Sequence, residues 1–194
     1  MPSERYNRSA SLLGLVGQLA GGKDTIADYL EEKYGFTHIS TSDLLREILT
    51  QQLGREPDRD DLRTGAKKLR TDQGGDVLVR RSLIDPPPRL VLSGIRAINE
   101  ARRVKEEGGV LIACTAPIEI RYRRAQQRNR LGDQVTLEQF QEQERKESED
   151  TDPNAQNLPA VTKMADYRLD NSGSINDLYR SVDDLMRDQL GISA

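Results

Sequence analysis

Tryptophan is missing from this 194-residue chain and phenylalanine occurs only twice, so few platforms exist for stacking single-stranded bases. A single cysteine, Cys114, excludes an internal disulfide and fits a reducing compartment. Neither sign of charge dominates: 31% of residues are charged, yet the net charge is −3, which gives no bulk attraction to nucleic acid or to an anionic membrane. No apolar run approaches the roughly 20 residues of a membrane-spanning helix, and the opening MPSERYNRSA lacks a signal-peptide core. The expectation is a cytoplasmic protein with no nucleic-acid polymer or membrane as partner. The length suits one domain with a continuous core.

What is present is an alternation of strands and helices. SLLGLV (Ser11–Val16) is a short apolar run, and KDTIADYLEEKYG carries apolar residues at helical spacing until Gly35 stops it. FTHIS reads as a second strand and SDLLREILTQQLG as a second helix, with Ser42 as its N-cap and Gly54 as its stop. DLRTGAKKLR and GDVLVRRSLI read as helices, and Pro86–Pro88 punctuate before the strand RLVLS. AINEARRVKEEG is a helix, GVLIACT a strand, and PIEIRYRRAQQRNR a helix with Pro117 near its first turn. TLEQFQEQERKESE is a polar helix, followed by a loop from Asp150 to Pro159. DYRL is the last strand and INDLYRSVDDLMRDQL the last helix. The pattern predicts an α/β fold with a parallel sheet covered on both faces. Residues 54–75 and 129–160, where polar residues crowd, are the expected inserts.

GQLAGGKDT, Gly17 to Thr25, nearly spells the phosphate-loop pattern G-x-x-x-x-G-K-[S/T]. Asp24 stands where the hydroxyl belongs, and Thr25 follows one position late. The stretch lies between a predicted strand and a predicted helix, the context a working loop requires. There, backbone N–H groups and the positive end of the helix hold phosphate while a lysine neutralises the terminal phosphates. Gly17, Gly21 and Gly22 permit close backbone approach, Lys23 reaches the β- and γ-phosphates, and Thr25 supplies the hydroxyl. The alternative is a plain glycine turn before a helix.

HISTSDLLRE, His38 to Glu47, resembles the ISTGDLLR segment of adenylate kinases and related nucleoside monophosphate kinases. Those enzymes also place a threonine one position late, as Thr25 is here. Phage deoxynucleoside monophosphate kinases and phosphomevalonate kinases carry Asp after the lysine, as at Asp24. SGIR (Ser93–Arg96) sits where these kinases have an Asp-Gly…Arg element, and RYRRAQQR supplies Arg124 and Arg128 with the spacing of their ATP-handling arginine pair. ADYRLDNSGS is similar to the ending of dephospho-CoA kinases and of an archaeal adenylate-kinase-related group. The blocks keep their order across residues 11–185.

The resemblance implies a P-loop three-layer α/β/α domain with a five-stranded parallel sheet. It implies one kinase domain over residues 1–194, with a flexible N-terminus (1–10), an acceptor-binding helical region (42–85) and a lid-like region (129–160). The implied activity transfers the γ-phosphate of ATP, with magnesium, to a (deoxy)nucleoside monophosphate. Gly17, Ala20, Gly21, Gly22, Lys23, Asp24 and Thr25 would hold the donor phosphates, Arg124 would stack near the donor adenine, and Asn171 and Gly173 would line its pocket. Thr25 and Asp43 would face the metal, Asp43 through bound water, since magnesium keeps several waters. Thr41, Arg46 and Arg96 would contact the acceptor phosphate. Glu100, four residues beyond Arg96, would read the base edge; an ionised carboxylate only accepts hydrogen bonds, so bases bearing amino groups are expected. Lys23, Arg96 and Arg128 form the expected catalytic set.

Simpler readings stand beside these. Arg124 and Arg128, four apart, suit a solvated helix face. Asp43 and Glu100 suit first-turn acids favoured by the helix dipole. His38 fits a structural histidine and Cys114 a small buried residue. KMAD, Lys163 to Asp166, lacks the spacing of a guanine-reading signature, because Ala165 takes the aspartate's place. The chain also departs from its relatives. Ser93 replaces their usual Asp, and Gln143 and Glu144 stand where their lid carries an Arg-Asp pair, with Arg145 and Lys146 adjacent. Dephospho-CoA kinase, which shares the fold and the ADY…DNSG ending, is a second reading, and a non-catalytic nucleotide-binding regulatory module, which fits the missing Asp at Ser93, a third.

Overall fold

The computed structural model of the chain describes residues 11–128, 134–148 and 155–194. The expected flexible N-terminus, 1–10, lies outside the described residues, as do 129–133 and 149–154 of the expected lid-like region and the side chains of 146–148.

Strands β1 (Leu12–Val16), β2 (Thr37–Ser40), β3 (Leu90–Ser93), β4 (Val110–Thr115) and β5 (Tyr167–Asp170) form one parallel sheet in the order β2-β3-β1-β4-β5. Leu12 pairs with Leu90, Leu13 with Val110 and Ser40 with Ser93, which brings the carboxyl ends of β1, β2 and β3 side by side. Alternate residues of β1 serve opposite faces. Leu13 and Leu15 pack with Ile26 and Leu30 of α1 (Lys23–Tyr34) and with Leu178 and Val182 of α9 (Ile175–Asp184). Leu12 and Val16 pack with Ala101 and Val104 of α5 (Ile98–Glu106) and with Val161 of α8 (Leu158–Lys163). A strand covered on both faces reads as an unbroken apolar run, as β1 does. Each leucine so buried contributes about 1.5–3 kcal/mol before the entropy of ordering it. The result is a P-loop three-layer α/β/α domain, as expected.

Between β2 and β3 the chain builds a helical insert of α2 (Thr41–Leu53), α3 (Arg59–Gln73) and α4 (Val77–Ser82). Its own apolar cluster joins Leu45 and Leu49 to Ala66, Leu69, Val77 and Leu78. After β4 come α6 (Ile118–Arg128) and α7 (Leu137–Ser148), held together where the fully buried Phe140 meets the edge of Tyr122 at 5.7 Å. No helix among the described residues is long and apolar enough to cross a membrane.

Three expectations change. The cap of α2 is Ser40, not Ser42, because the Asp43 backbone N–H donates to Ser40 Oγ at 3.2 Å and the helix starts at Thr41. The loop expected to reach Pro159 ends at Asn157, which caps α8 by accepting from the Ala160 N–H at 3.1 Å. With Leu158 and Val161 as its only buried residues, α8 is too short to show periodicity. The last helix is α9 followed by a π-helical turn, Leu185–Gln189.

Candidate functional site

A cavity of about 1000 Å³ opens at the carboxyl ends of β1, β2 and β3. Open parallel sheets place ligands there. On one wall the loop leaving β1 is shaped by its glycines. Gly17 has φ 134°, and a Cβ there would fall 2.3 Å from the Cys114 carbonyl oxygen; at Gly22 φ is 104° and a Cβ would fall 2.0 Å from Asn171 Nδ2. Cys114 Sγ and Asn171 Nδ2 donate to the Gly21 carbonyl at 2.8 and 2.9 Å. Lys23 Nζ donates to the carbonyls of Gly17 (2.9 Å) and Gln18 (2.7 Å), which sets its ammonium against the loop. Burial pushes the Cys114 thiol up to about 11 against the pull of Lys23 and Arg124, so it stays protonated and acts as a donor. Arg124 Nη1 in turn donates to the Asn171 carbonyl at 2.9 Å.

The opposite wall is made of side chains from the helical insert and from the turn after β3. Thr41 is fully buried on the wall, and its Oγ1 has no hydrogen-bond partner among the described residues. Arg46 Nη1 donates to the Pro57 carbonyl at 3.4 Å and lies 3.6 Å from Glu56. Arg96 donates through Nη1 to Gln156 Oε1 at 3.2 Å. His38 Nε2 and Ser93 Oγ, also on the wall, lie 2.8 Å apart. In all, eight basic and five acidic side chains line the cavity, an excess that suits a polyanion on a chain whose net charge is negative.

Most of the expected site residues line this cavity: Ala20, Gly21, Gly22, Lys23, Asp24 and Thr25 on the loop side, Thr41, Asp43, Arg46 and Arg96 opposite, and Arg124 and Arg128 from α6. Arg124 and Arg128 therefore do not form a merely solvated face. Four expected residues stand off the wall. Gly17 is buried beneath the loop, where it lets the backbone pass β4. Asn171 is buried and faces the Gly21 carbonyl, and Gly173 is exposed in the turn before α9. Glu100 is the clear correction. It is fully buried, its Oε1 accepts from Arg70 Nε at 2.9 Å, and its Oε2 accepts from the backbone N–H groups of Arg96 (2.9 Å) and Ala97 (3.1 Å). Both oxygens serve the protein, so no carboxylate faces a base from this position.

The lid pair is also redirected. Gln143 accepts from Arg59 Nη1, and Glu144 takes a bidentate grip from the buried Arg121. Arg121 also donates to the carbonyls of Ala116 (2.8 Å) and Leu19 (3.3 Å), so α7 is linked to the phosphate loop through Arg121 and to α3 through Arg59. Sequence reasoning missed Arg59, Arg63, Arg70 and Gln156. The first three recur with Leu62 and Ala66 at spacings of three and four on α3, a face readable in the sequence once α3 is known to border the cavity. Thr25, Asp43, Asp24 and Asp28 put oxygen donors on the wall, the donor set a hard divalent cation takes. Asp28, Glu31 and His38 bring ligand atoms within 4.8 Å of one another, but Asp28 and Glu31 are exposed and Glu31 already accepts from the His38 N–H at 2.8 Å.

Residues 16–141 match the AAA domain family. A UPF0200/UPF0201 protein of Archaeoglobus fulgidus is 29% identical over 180 residues, covering 88% of this chain and 53% of its own length. The chain thus spans about half of that relative. A UPF0200 protein of Methanosarcina barkeri is 30% identical over 143 residues, 70% of this chain and 76% of that one. Among solved structures, shikimate kinase from Acinetobacter baumannii, in complex with shikimate, superposes with a TM-score of 0.57 at 18% identity, covering 93% of this chain and 95% of that one. That likeness is one of fold.

Proposed function

The chain belongs to the AAA-domain and UPF0200 families and has a P-loop kinase-like fold; from that premise we propose that it transfers the γ-phosphate of ATP to a (deoxy)nucleoside monophosphate. The observation that carries this reading is the single cavity that joins the Lys23 loop to Arg46, Arg96 and the unpartnered Thr41 hydroxyl. A phosphate loop alone would serve any ATP-binding protein. A buried hydroxyl lining the same cavity as two arginines, together with that loop, fits a second phosphate.

Phosphoryl transfer asks the protein for positive charge and in-line positioning. Lys23 and the loop backbone hold the donor phosphates, and Arg128 bridges the transferring group. Arg46, Arg96 and Thr41 fix the acceptor phosphate, whose oxygen is already ionised and needs no base. Asn171 and Cys114 act behind the loop by fixing the Gly21 peptide. Thr25 and Asp43, with Asp24 and Asp28 nearby, would hold magnesium, which would offset charge on the donor phosphates. Through its two links, α7 excludes water when both walls are occupied.

A second reading, dephospho-CoA kinase or another hydroxyl acceptor, draws on His38, whose imidazole stands 2.8 Å from Ser93 Oγ and would serve as the general base such an acceptor requires. The shikimate-holding neighbour belongs with this reading. A coupled ADP-release assay over nucleoside monophosphates, dephospho-CoA and shikimate, with an acceptor-free control, separates the readings. Release that depends on a monophosphate is expected. Release only with a hydroxyl acceptor would favour the second reading, and none at all would leave a nucleotide-binding module.

A further inference from the structure

We propose that Arg70 reads the acceptor's base and selects guanine, uracil or thymine over adenine and cytosine; this rests on the nucleoside monophosphate reading above. One face of α3, Arg59, Leu62, Arg63, Ala66 and Arg70, runs along the cavity. At about 1.5 Å of rise per residue, that face is about 16 Å long, enough for a nucleotide lying against it. Its middle is apolar. Leu62 borders the cavity beside Ala66, Leu45 of α2 and Leu78 of α4, whose packed cluster gives a flat ring an apolar surface to lie against.

Arg70 closes the end of that slot. Its side chain is 2% exposed yet borders the cavity, and Glu100, fully buried behind it, grips Nε and Nη2 at 2.9 Å. The ion pair decides what Arg70 can recognise. With a carboxylate against it, the guanidinium has its charge largely offset, and Glu100 would repel a phosphate dianion brought to the same place. The N–H donors keep their direction, however, and a guanidinium has no acceptor. A neutral base edge that offers a carbonyl oxygen meets this requirement. Guanine, uracil and thymine present a ring carbonyl where adenine and cytosine present an amino group, whose N–H would face N–H. Arginine against the guanine carbonyl and its neighbouring ring nitrogen is the familiar bidentate case. The preference is thus opposite to that expected from Glu100 alone, because the acid has been used to aim a donor.

The full chain is assayed with ATP and GMP, UMP, dTMP, AMP, CMP and the base-free ribose 5-phosphate. The wild type should show kcat/KM for the carbonyl-bearing set about 10-fold or more above that for AMP and CMP. Truncating Arg70 alone would strand a buried carboxylate, so the paired variant Arg70→Gln with Glu100→Gln removes both charges. In it the ratio should fall toward one, with ribose 5-phosphate as the base-free reference against which each loss is read, since Glu100 also holds the backbone of Arg96. A wild-type preference for AMP or CMP, or an unchanged ratio in the paired variant, would overturn the proposal but leave a monophosphate kinase standing. Equal losses for every acceptor, ribose 5-phosphate included, would leave the ratio unchanged and overturn it as well. Turnover of no monophosphate would overturn both.

Discussion

The wall proposed for the donor is mostly backbone, the short loop from Gly17 to Gly22 between β1 and α1, whereas the wall proposed for the acceptor is made of side chains delivered by α2, α3, the turn after β3 and the segment before α8. The loop's shape comes from local glycine geometry and from two buried donors, Cys114 and Asn171, on the Gly21 carbonyl. The acceptor wall has no such local rule. Arg70 and Glu100 meet across 30 residues of sequence, and Arg96 and Gln156 across 60. A phosphate cradle can therefore be fixed by one short stretch, while the selectivity proposed for the acceptor would be distributed over the tertiary structure. Mutations on the two walls should fail in different ways.

The largest effect is expected at Lys23. Lys23→Ala removes the charge set against the loop and should cut kcat about 100- to 1000-fold, with an unchanged melting temperature. A near-normal rate would show that the donor wall is not where charge is neutralised. On the other wall, Arg46→Ala should raise the acceptor's KM about 10- to 100-fold and leave that of ATP in place, since a charged hydrogen bond is worth about 1.5–3 kcal/mol. If ATP alone suffered, Arg46 would belong to the donor side and the division of the walls would fail. Asn171→Ala should be milder, raising the KM of ATP about 5-fold through the loss of one hydrogen bond of about 1 kcal/mol to the Gly21 carbonyl. An equal effect on both substrates would mean that the loop and the acceptor wall move as one.

The smallest effect on turnover is expected at a residue outside both walls. Asp183 accepts from Tyr34 (2.8 Å), Tyr29 (2.9 Å) and Lys33 (2.7 Å), tying α9 to α1. Burial pushes its carboxyl up, but the hydrogen bonds from Lys33, Tyr34 and Tyr29 outweigh this and hold it below its usual value. A depressed folded value means the contribution is fully present above the unfolded value, about pH 4, and is lost as pH falls through the folded one. Asp183→Asn should therefore lower stability by about 1–2 kcal/mol at pH 7 and leave kcat unchanged. The melting temperatures of variant and wild type should converge as the pH drops below about 4. A gap that persists unchanged into strong acid would show that packing, not charge, is the source.

What the sequence disclosed follows the same division. All five strands could be located: β1, β3 and β4 are dominated by apolar residues and bounded by glycine or proline, and β2 and β5 fall between helical patterns. The glycine loop could be read from spacing, while Arg124 and Arg128 stand out by the resemblance of RYRRAQQR to an arginine pair and not by their helical spacing, which suits a solvated face equally. Ser42 was the wrong cap by two residues, since Ser40 has the extended backbone that capping needs (ψ 115°). Glu100 was placed correctly in the chain and wrongly in space: its distance from Arg96 is visible, but the presence of Arg70 behind it is not. The α3 face was periodic in the sequence all along. Which neighbour that face meets is set by the Leu45–Ala66–Leu78 cluster, a long-range packing outcome that local pattern does not encode.

The central claim is that donor and acceptor occupy opposite walls of one cavity. It is tested most directly by calorimetric binding of a two-headed ligand, adenosine joined through its 5′ phosphates to a second nucleoside. If both walls are engaged at once, the second contact becomes intramolecular, and the ligand should bind about 100-fold more tightly than ATP, with Lys23→Ala and Arg46→Ala each removing much of that gain. Affinity no greater than that of ATP, or a gain indifferent to Arg46, would contradict a two-walled site.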